Sequence, residues 1–151
     1  MAVLQYPAAM IPCELLLSRI AAANAARASG DAAGGEAGRA LEREFHCSQW
    51  LAVYGTLAVG EVNHGELAGC RGSWQAGRVR GRRGLRQYPV FRFDPEATEV
   101  VMQILQSADL PRHWPALDEF EGPEYQRVLV PVLLASGWQV ANLYESIAPI
   151  D

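Results

Sequence analysis

The sequence predicts an α+β fold: a small mixed β-barrel with short flanking helices, preceded by an N-terminal extension that is helical or disordered. Three observations carry this reading. The elements run strand-rich with short helices and without a strand–helix–strand period, so a doubly wound sheet is not indicated. The stretch from Val128 to Leu134 is apolar on both alternations, as in a strand buried on both faces or bent within a barrel. Residues 1–45, rich in alanine and glycine, differ in composition from the rest and divide the chain into an extension (1–45) and a domain (46–151). A length of 151 residues is enough for one domain with a substantial core and short for two.

In order along the chain, Glu14 to Ala28 has helical character, with Leu15, Leu16, Ile20 and Ala23 forming its apolar side and Gly30 placed to stop it. Ser29 to Gly38 reads as a linker, and Arg39 to Glu44 as a short second helix. Terminal segments of this kind are ordered only when docked, on their own domain or on a partner chain. Trp50 to Tyr54 is a buried strand ended by Gly55. Leu67 to Gly72 and Trp74 to Gly81 read as strands broken by glycines, with Gly77 and Gly81 marking turns or bulges. Tyr88 to Phe93 alternates in part. Asp94-Pro95-Glu96 has the form of a helix start, yet the β-branched character of Glu99 to Leu105 favours a strand. Ser107 or Asp109 caps a helix that begins near Leu110 and turns Leu110, Trp114, Leu117 and Phe120 towards the sheet. After the strand at Val128, Ala135-Ser136-Gly137 turns the chain. Trp138 to Tyr144 then returns, with Trp138, Val140 and Tyr144 on one face and polar Asn142 among them.

Composition narrows the function. The net charge of −4 argues against a protein-wide field for nucleic acid or anionic membrane. Every basic residue is arginine, so Schiff-base chemistry through lysine is excluded. Cys13, Cys47 and Cys70 form no C-x-x-C pair, which points to reduced thiols and the cytoplasm. Leu15 to Leu17 and the following alanines lack the preceding positive charge of a signal peptide. No run approaches the roughly 18 apolar residues of a spanning helix. His46, His64 and His113 show no metal-ligand spacing. The run Arg78, Arg80, Arg82, Arg83 and Arg86 has a nucleic-acid look, but only Trp74 and Tyr88 flank it and no aromatic platform lies within it; it reads as a solvated hairpin. No Gly-x-Ser-x-Gly occurs, and Cys70 near His64 or His113 is more simply a small buried thiol.

Two elements remain with chemistry to offer. In Tyr54-Gly55-Thr56-Leu57 a strand ends in glycine, whose freedom permits a sharp turn that exposes consecutive backbone N–H groups to a carboxylate or phosphate. In Leu117-Asp118-Glu119-Phe120-Glu121-Gly122, Glu121 ends a helix against the macrodipole, an unfavourable place without another reason. Asp118 and Glu119 nearby are expected to raise its pKa and suit it to acid–base work.

These pieces together resemble the γ-glutamylcyclotransferase family (the AIG2-like group). The matching elements, in the family's order, are Tyr54-Gly55-Thr56-Leu57 with Gly60 and Asn63; Trp74-x-x-Gly77-x-Val79-x-Gly81; Tyr88-Pro89; Leu117-Asp118-x-x-Glu121-Gly122; Tyr125-x-Arg127; and Ala141-x-x-Tyr144. The resemblance implies a compact barrel with a cavity at its mouth. It also implies cyclisation of a γ-glutamyl amide or peptide to 5-oxoproline and a free amine, without a cofactor. It places the catalytic glutamate at Glu121, the substrate loop at Tyr54, Gly55, Thr56 and Leu57 with Asn63 beside it, and cavity walls at Tyr88 and Tyr125. The partner is then a small γ-glutamyl molecule, with no nucleic acid and no membrane, and the extension is a candidate homo-oligomer contact. A non-catalytic module of the same fold, binding a γ-glutamyl or other carboxylate ligand or a partner protein, is the alternative. Gln103 stands where the family usually has glycine and is expected to re-line the cavity. Arg82 and Arg83 replace a more apolar strand continuation, and residues 1–45 have no counterpart in the minimal domain.

Overall fold

The computed structural model describes residues 13–87 and 89–150. Helices α1 (Glu14–Ala28) and α2 (Gly35–Phe45) come first, followed by a 3-10 turn at Cys47–Gln49 and strand β1 (Trp50–Val53). A loop with a second 3-10 turn (His64–Leu67) leads to β2 (Ser73–Leu85), β3 (Pro89–Phe93) and β4 (Glu99–Gln106). Helix α3 (Leu110–Glu121) precedes the closing hairpin of β5 (Tyr125–Leu134) and β6 (Gly137–Ser146).

Five strands close on themselves in the order β2-β4-β1-β6-β5 and back to β2 through the pairing of Arg78 with Leu133. All contacts are antiparallel except β1 with β6, which run parallel with Leu51 opposite Asn142. The expected mixed barrel is therefore present. β3 stands outside the closure and pairs only with the second half of β2, as a hairpin.

The period of two along each strand sorts the core into layers. Val79, Val100, Met102, Ile104, Val128, Val130, Val132, Ala141 and Leu143 point into the barrel. Leu51, Val53 and Leu105 face the other way and meet Leu110, Trp114 and Leu117 of α3. Leu129 and Val140 also face outwards, and there they meet Leu16, Ile20, Ala23 and Leu41. That is why Val128 to Leu134 is apolar on both alternations: one face fills the barrel and part of the other is covered by α1 and α2.

The extension is thus docked helix from residue 14 onwards. Its boundaries at Glu14 and Ala28 are those the sequence suggests, although Leu15 points to solvent and only Leu16, Ile20 and Ala23 are buried. Full burial of a side chain such as Ile20 contributes roughly 1.5–3 kcal/mol. Polar contacts fix the register. The Asn24 amide donates to the Leu129 carbonyl (2.9 Å) and accepts from the Leu129 N–H (2.8 Å), mimicking a strand partner for β5. The expected linker is shorter than Ser29 to Gly38, because α2 already begins at Gly35.

Two strand expectations need correction. Leu67 to Gly72 is not a strand; it holds the end of a 3-10 turn and irregular chain. Gly77 and Gly81 do not break β2, which runs through both. A Cβ on Gly77 would sit 2.7 Å from Ile104 Cγ1 and from Val132 Cγ1, so glycine here lets β2 cross close to the barrel interior. Gly81 similarly lies against the Phe91 ring. The ambiguous Glu99 segment is a strand, and Asp94 instead makes a turn, its carboxylate accepting from the Glu96 N–H (2.9 Å). Phe120 is not on the packed face of α3 and remains 39% exposed.

Candidate active site

A cavity of about 190 Å³ forms where β1 runs out into the loop, against the end of α3 and the first residues of β3 and β5. Its lining includes Tyr54, Gly55, Thr56, Leu57, Asn63, Glu121 and Tyr125, all of them singled out from the sequence. Tyr88 lies outside the described residues; its neighbour Pro89 is part of the wall.

The loop owes its shape to a small set of hydrogen bonds. The Ala58 N–H donates to the Gly55 carbonyl (3.0 Å) and the Asn63 N–H to the Thr56 carbonyl (2.8 Å), while the Asn63 side-chain amide holds Thr56 Oγ1 (3.0 Å). Gln103 does not line the cavity. Its Oε1 accepts from the Val59 N–H (2.7 Å) and ties the loop to β4, so the glycine replacement acts as an anchor instead of a new wall. Among the described residues, the N–H groups of Gly55, Thr56 and Leu57 find no protein acceptor. Consecutive N–H groups without an acceptor among the described residues, beside a cavity, have the form that can receive an anionic group.

Glu121 is the last residue of α3, and Gly122 ends the helix by taking φ +80°, a conformation that favours glycine. The Glu121 side chain is half-buried, and among the described residues it makes no hydrogen bond or ion pair. Burial alone pushes its carboxyl up to about 7. The expectation that Asp118 and Glu119 cause this shift is not met, for two reasons. Glu119 points to solvent. Asp118 is neutralised by Arg127, which donates from Nε (2.9 Å) and Nη2 (3.3 Å), and it also accepts from the Tyr144 hydroxyl (2.6 Å).

This Asp118 network stiffens the wall. Tyr54 donates its hydroxyl to the Tyr144 carbonyl (2.6 Å), and the Arg127 guanidinium lies 4.4 Å over the Trp114 ring while its Nη1 reaches Asn142 Oδ1 (3.1 Å). Burial raises both tyrosines well above the ordinary phenol range, so they stay neutral donors. Sequence reasoning placed Tyr144 in a motif but not in the cavity, where it stands with Phe120 and Pro89. The signal was available for Tyr144: it shares a strand face with buried Asn142, and a polar pair on a covered face asks for partners.

The remaining candidates are occupied elsewhere. His64 Nδ1 contacts the Leu57 carbonyl (3.0 Å) and His113 Nδ1 the Asp109 carbonyl (2.9 Å). Burial, and then the neighbouring Glu42 carboxylate that accepts from its thiol, push Cys47 up to about 12. Among the described residues no three His, Cys, Asp or Glu side chains gather as a metal site requires. No helix of the described residues is long and apolar enough to cross a membrane.

By architecture and site this is a small mixed barrel with a carboxyl group that is unpaired among the described residues, beside a loop whose amide donors find no acceptor among them. The family described as gamma-glutamyl cyclotransferase, AIG2-like, matches residues 51–148, and the chain belongs to that family. YkqA from Bacillus subtilis is similar in structure at TM-score 0.56 and 27% identity over 66% of this chain. The chain spans only 36% of the length of that larger protein. An AIG2-like protein from Mus musculus (TM-score 0.53, 19% identity, 68% of this chain and 79% of that one) shares the fold. So does an uncharacterized protein from Pyrococcus horikoshii (TM-score 0.53, 21% identity, 68% and 80%). No curated protein matches the sequence significantly. Helices α1 and α2 precede the span matched to the family.

Proposed function

We propose that the protein is a γ-glutamyl cyclotransferase-like enzyme that converts a γ-glutamyl amide or peptide into 5-oxoproline and a free amine, without a cofactor. One observation carries this reading: the Glu121 carboxyl, held near neutrality by burial and unpaired among the described residues, shares a cavity with the N–H groups of Gly55, Thr56 and Leu57, which find no acceptor among those residues.

The chemistry follows from these groups. The loop N–H groups receive the substrate's α-carboxylate, which places the α-ammonium near Glu121. A free α-amino group has a pKa of about 8, so proton transfer to a carboxylate near 7 is close to balanced. The neutral amine then attacks the γ-carbonyl carbon and forms the ring C–N bond. Glu121 gives that proton to the departing nitrogen as the original amide C–N bond breaks; the ring nitrogen then sheds its second proton, which leaves with the released amine as an ammonium ion, and the carboxylate is regenerated. Because nucleophile and carbonyl belong to one molecule, fixing its folded pose supplies much of the acceleration. The free thiols Cys13, Cys47 and Cys70 agree with work in the cytoplasm.

Incubation of the protein and of Glu121→Gln with γ-glutamyl amino acids, peptides and amines, with 5-oxoproline measured by mass spectrometry, tests the reading. Release by the native protein and not by the variant is the expected result. No release from any compound by a folded native protein refutes it and leaves a binding module of the same fold.

A further inference from the structure

A second cavity, of about 280 Å³, lies on the other side of Glu121. Glu121, Tyr125 and Tyr144 line both cavities, so the carboxyl group stands on the partition between them. The new wall comes from outside the span shared with the family: Asn24, Arg27 and Ala28 of α1, and Ala32 just beyond it. Asp118 and Arg127 complete the polar lining.

Two carboxyl groups, Asp118 and Glu121, and two guanidiniums, Arg27 and Arg127, line this cavity, but among the described residues only Asp118 and Arg127 are paired. Asp118 is taken by Arg127 in a bidentate pair. Arg27 forms no ion pair among the described residues; its Nη1 donates to Asn142 Oδ1 (2.8 Å), the same oxygen that Arg127 reaches, and its Nε is buried without a partner. Desolvation, and then the neighbouring Arg127, lower its pKa to about 10. A half-buried guanidinium with an orphaned N–H, repelled by a second guanidinium, is an expensive arrangement unless an anion completes it. The planar fork of arginine suits a carboxylate.

Resting on the cyclotransferase reading, we propose that this cavity is the leaving-group subsite and that Arg27 receives a carboxylate carried by the departing amine. The γ-glutamyl head occupies the first cavity, the scissile amide lies at Glu121, and the amine part extends towards α1. The substrate class is then γ-glutamyl amino acids and short peptides, in preference to γ-glutamyl derivatives of uncharged amines. Helix α1 acts as a specificity element added to the barrel.

The test compares γ-glutamylglycine with γ-glutamylglycinamide, which differ only in the terminal carboxylate, on the native protein, Arg27→Gln and Arg27→Lys. The native protein should prefer the acid by roughly tenfold to a hundredfold in kcat/KM, mostly through KM, the range expected for a charge-assisted hydrogen bond. The ratio should fall towards one in Arg27→Gln and recover in part in Arg27→Lys, which a merely structural role of Arg27 does not predict. In parallel, the arginine Nε–H signals of the ¹⁵N-labelled full chain are followed on addition of glycylglycine or glycinamide. The Arg27 signal should shift with the first and not the second. Turnover with no acid preference and no shift overturns the subsite and leaves the cyclotransferase reading intact. A shift without turnover of any γ-glutamyl compound supports the carboxylate site and overturns the cyclotransferase reading. Absence of both overturns both. The native ratio and the native spectrum decide the matter even if a variant does not fold.

Discussion

Glu121→Gln should stabilise the protein by an amount that grows from pH 4.5 upwards and levels off above pH 7. The side chain keeps its shape and loses its charge. In the folded protein burial raises the carboxyl from 4.5 to about 7, whereas the unfolded chain retains the ordinary value. Between these two values the folded state binds more protons than the unfolded one, so wild-type stability falls as pH rises. The decline amounts to about 1.4 kcal/mol per pH unit and levels off above pH 7 at a total of about 3 kcal/mol. Glutamine does not titrate, so the stability difference between variant and wild type should be flat below pH 4.5. It should climb between 4.5 and 7, then hold a plateau of about 3 kcal/mol. For a chain of this length that corresponds to a melting temperature roughly 6–12 °C higher for the variant at pH 8. Urea titrations of both proteins at half-unit steps from pH 4 to pH 9 measure the difference directly, and contributions from other titrating groups cancel. A difference independent of pH would show that Glu121 is not held in a desolvated site, and the acid–base argument would lose its physical basis.

Three further outcomes follow from the same geometry. If Glu121 is the base, log kcat/KM should show an acidic limb with its midpoint near pH 7; a limb near 4.5 would contradict the burial-driven shift. Ile20→Ala removes a fully buried side chain from the layer between α1 and the β5–β6 hairpin and should cost about 2–5 kcal/mol in urea unfolding, with faster hydrogen exchange in α1. Unchanged stability would mean that α1 is not coupled to the barrel. Gly77→Ala places a methyl group 2.7 Å from both Ile104 and Val132 and should cost about 1–3 kcal/mol, whereas a neutral result would show that β2 can move outwards freely.

What the sequence disclosed was local. Glu14–Ala28 and Leu110–Glu121 were readable because a helix face repeats within a few residues, with Gly30 and Gly122 as stops. Glu99–Gln106 could be told from a helix by its β-branched side chains. The misreadings concern partners distant in the chain. Gly77 and Gly81 resemble breakers until Ile104, Val132 and Phe91 are known to occupy the space a side chain would need. Leu15 and Leu16 are equivalent by composition, and only the docked position of α1 decides which is buried. In the site, Glu121 and the Tyr54–Leu57 loop were legible from their motifs, but the cause of the Glu121 shift was assigned to its neighbours in sequence. Arg27 gave no signal at all, since its contact with Asn142 spans 115 positions.

Asp118 and Glu121 show how one helix end holds two carboxyl groups in different environments. They stand three residues apart on α3, so they project to neighbouring parts of the same surface. Asp118 meets Arg127 from β5 and Tyr144 from β6, and these bonds hold its side chain in place. That capture leaves Arg127 with little influence on Glu121, whose shift shows burial as its sole cause. Had Arg127 instead paired with Glu121, the opposite charge would have drawn the carboxyl down and made it a poor proton acceptor. Among the described residues Asp118 takes the Arg127 guanidinium, and Glu121, which borders both cavities without a hydrogen bond or ion pair, keeps a carboxyl that burial raises to about 7.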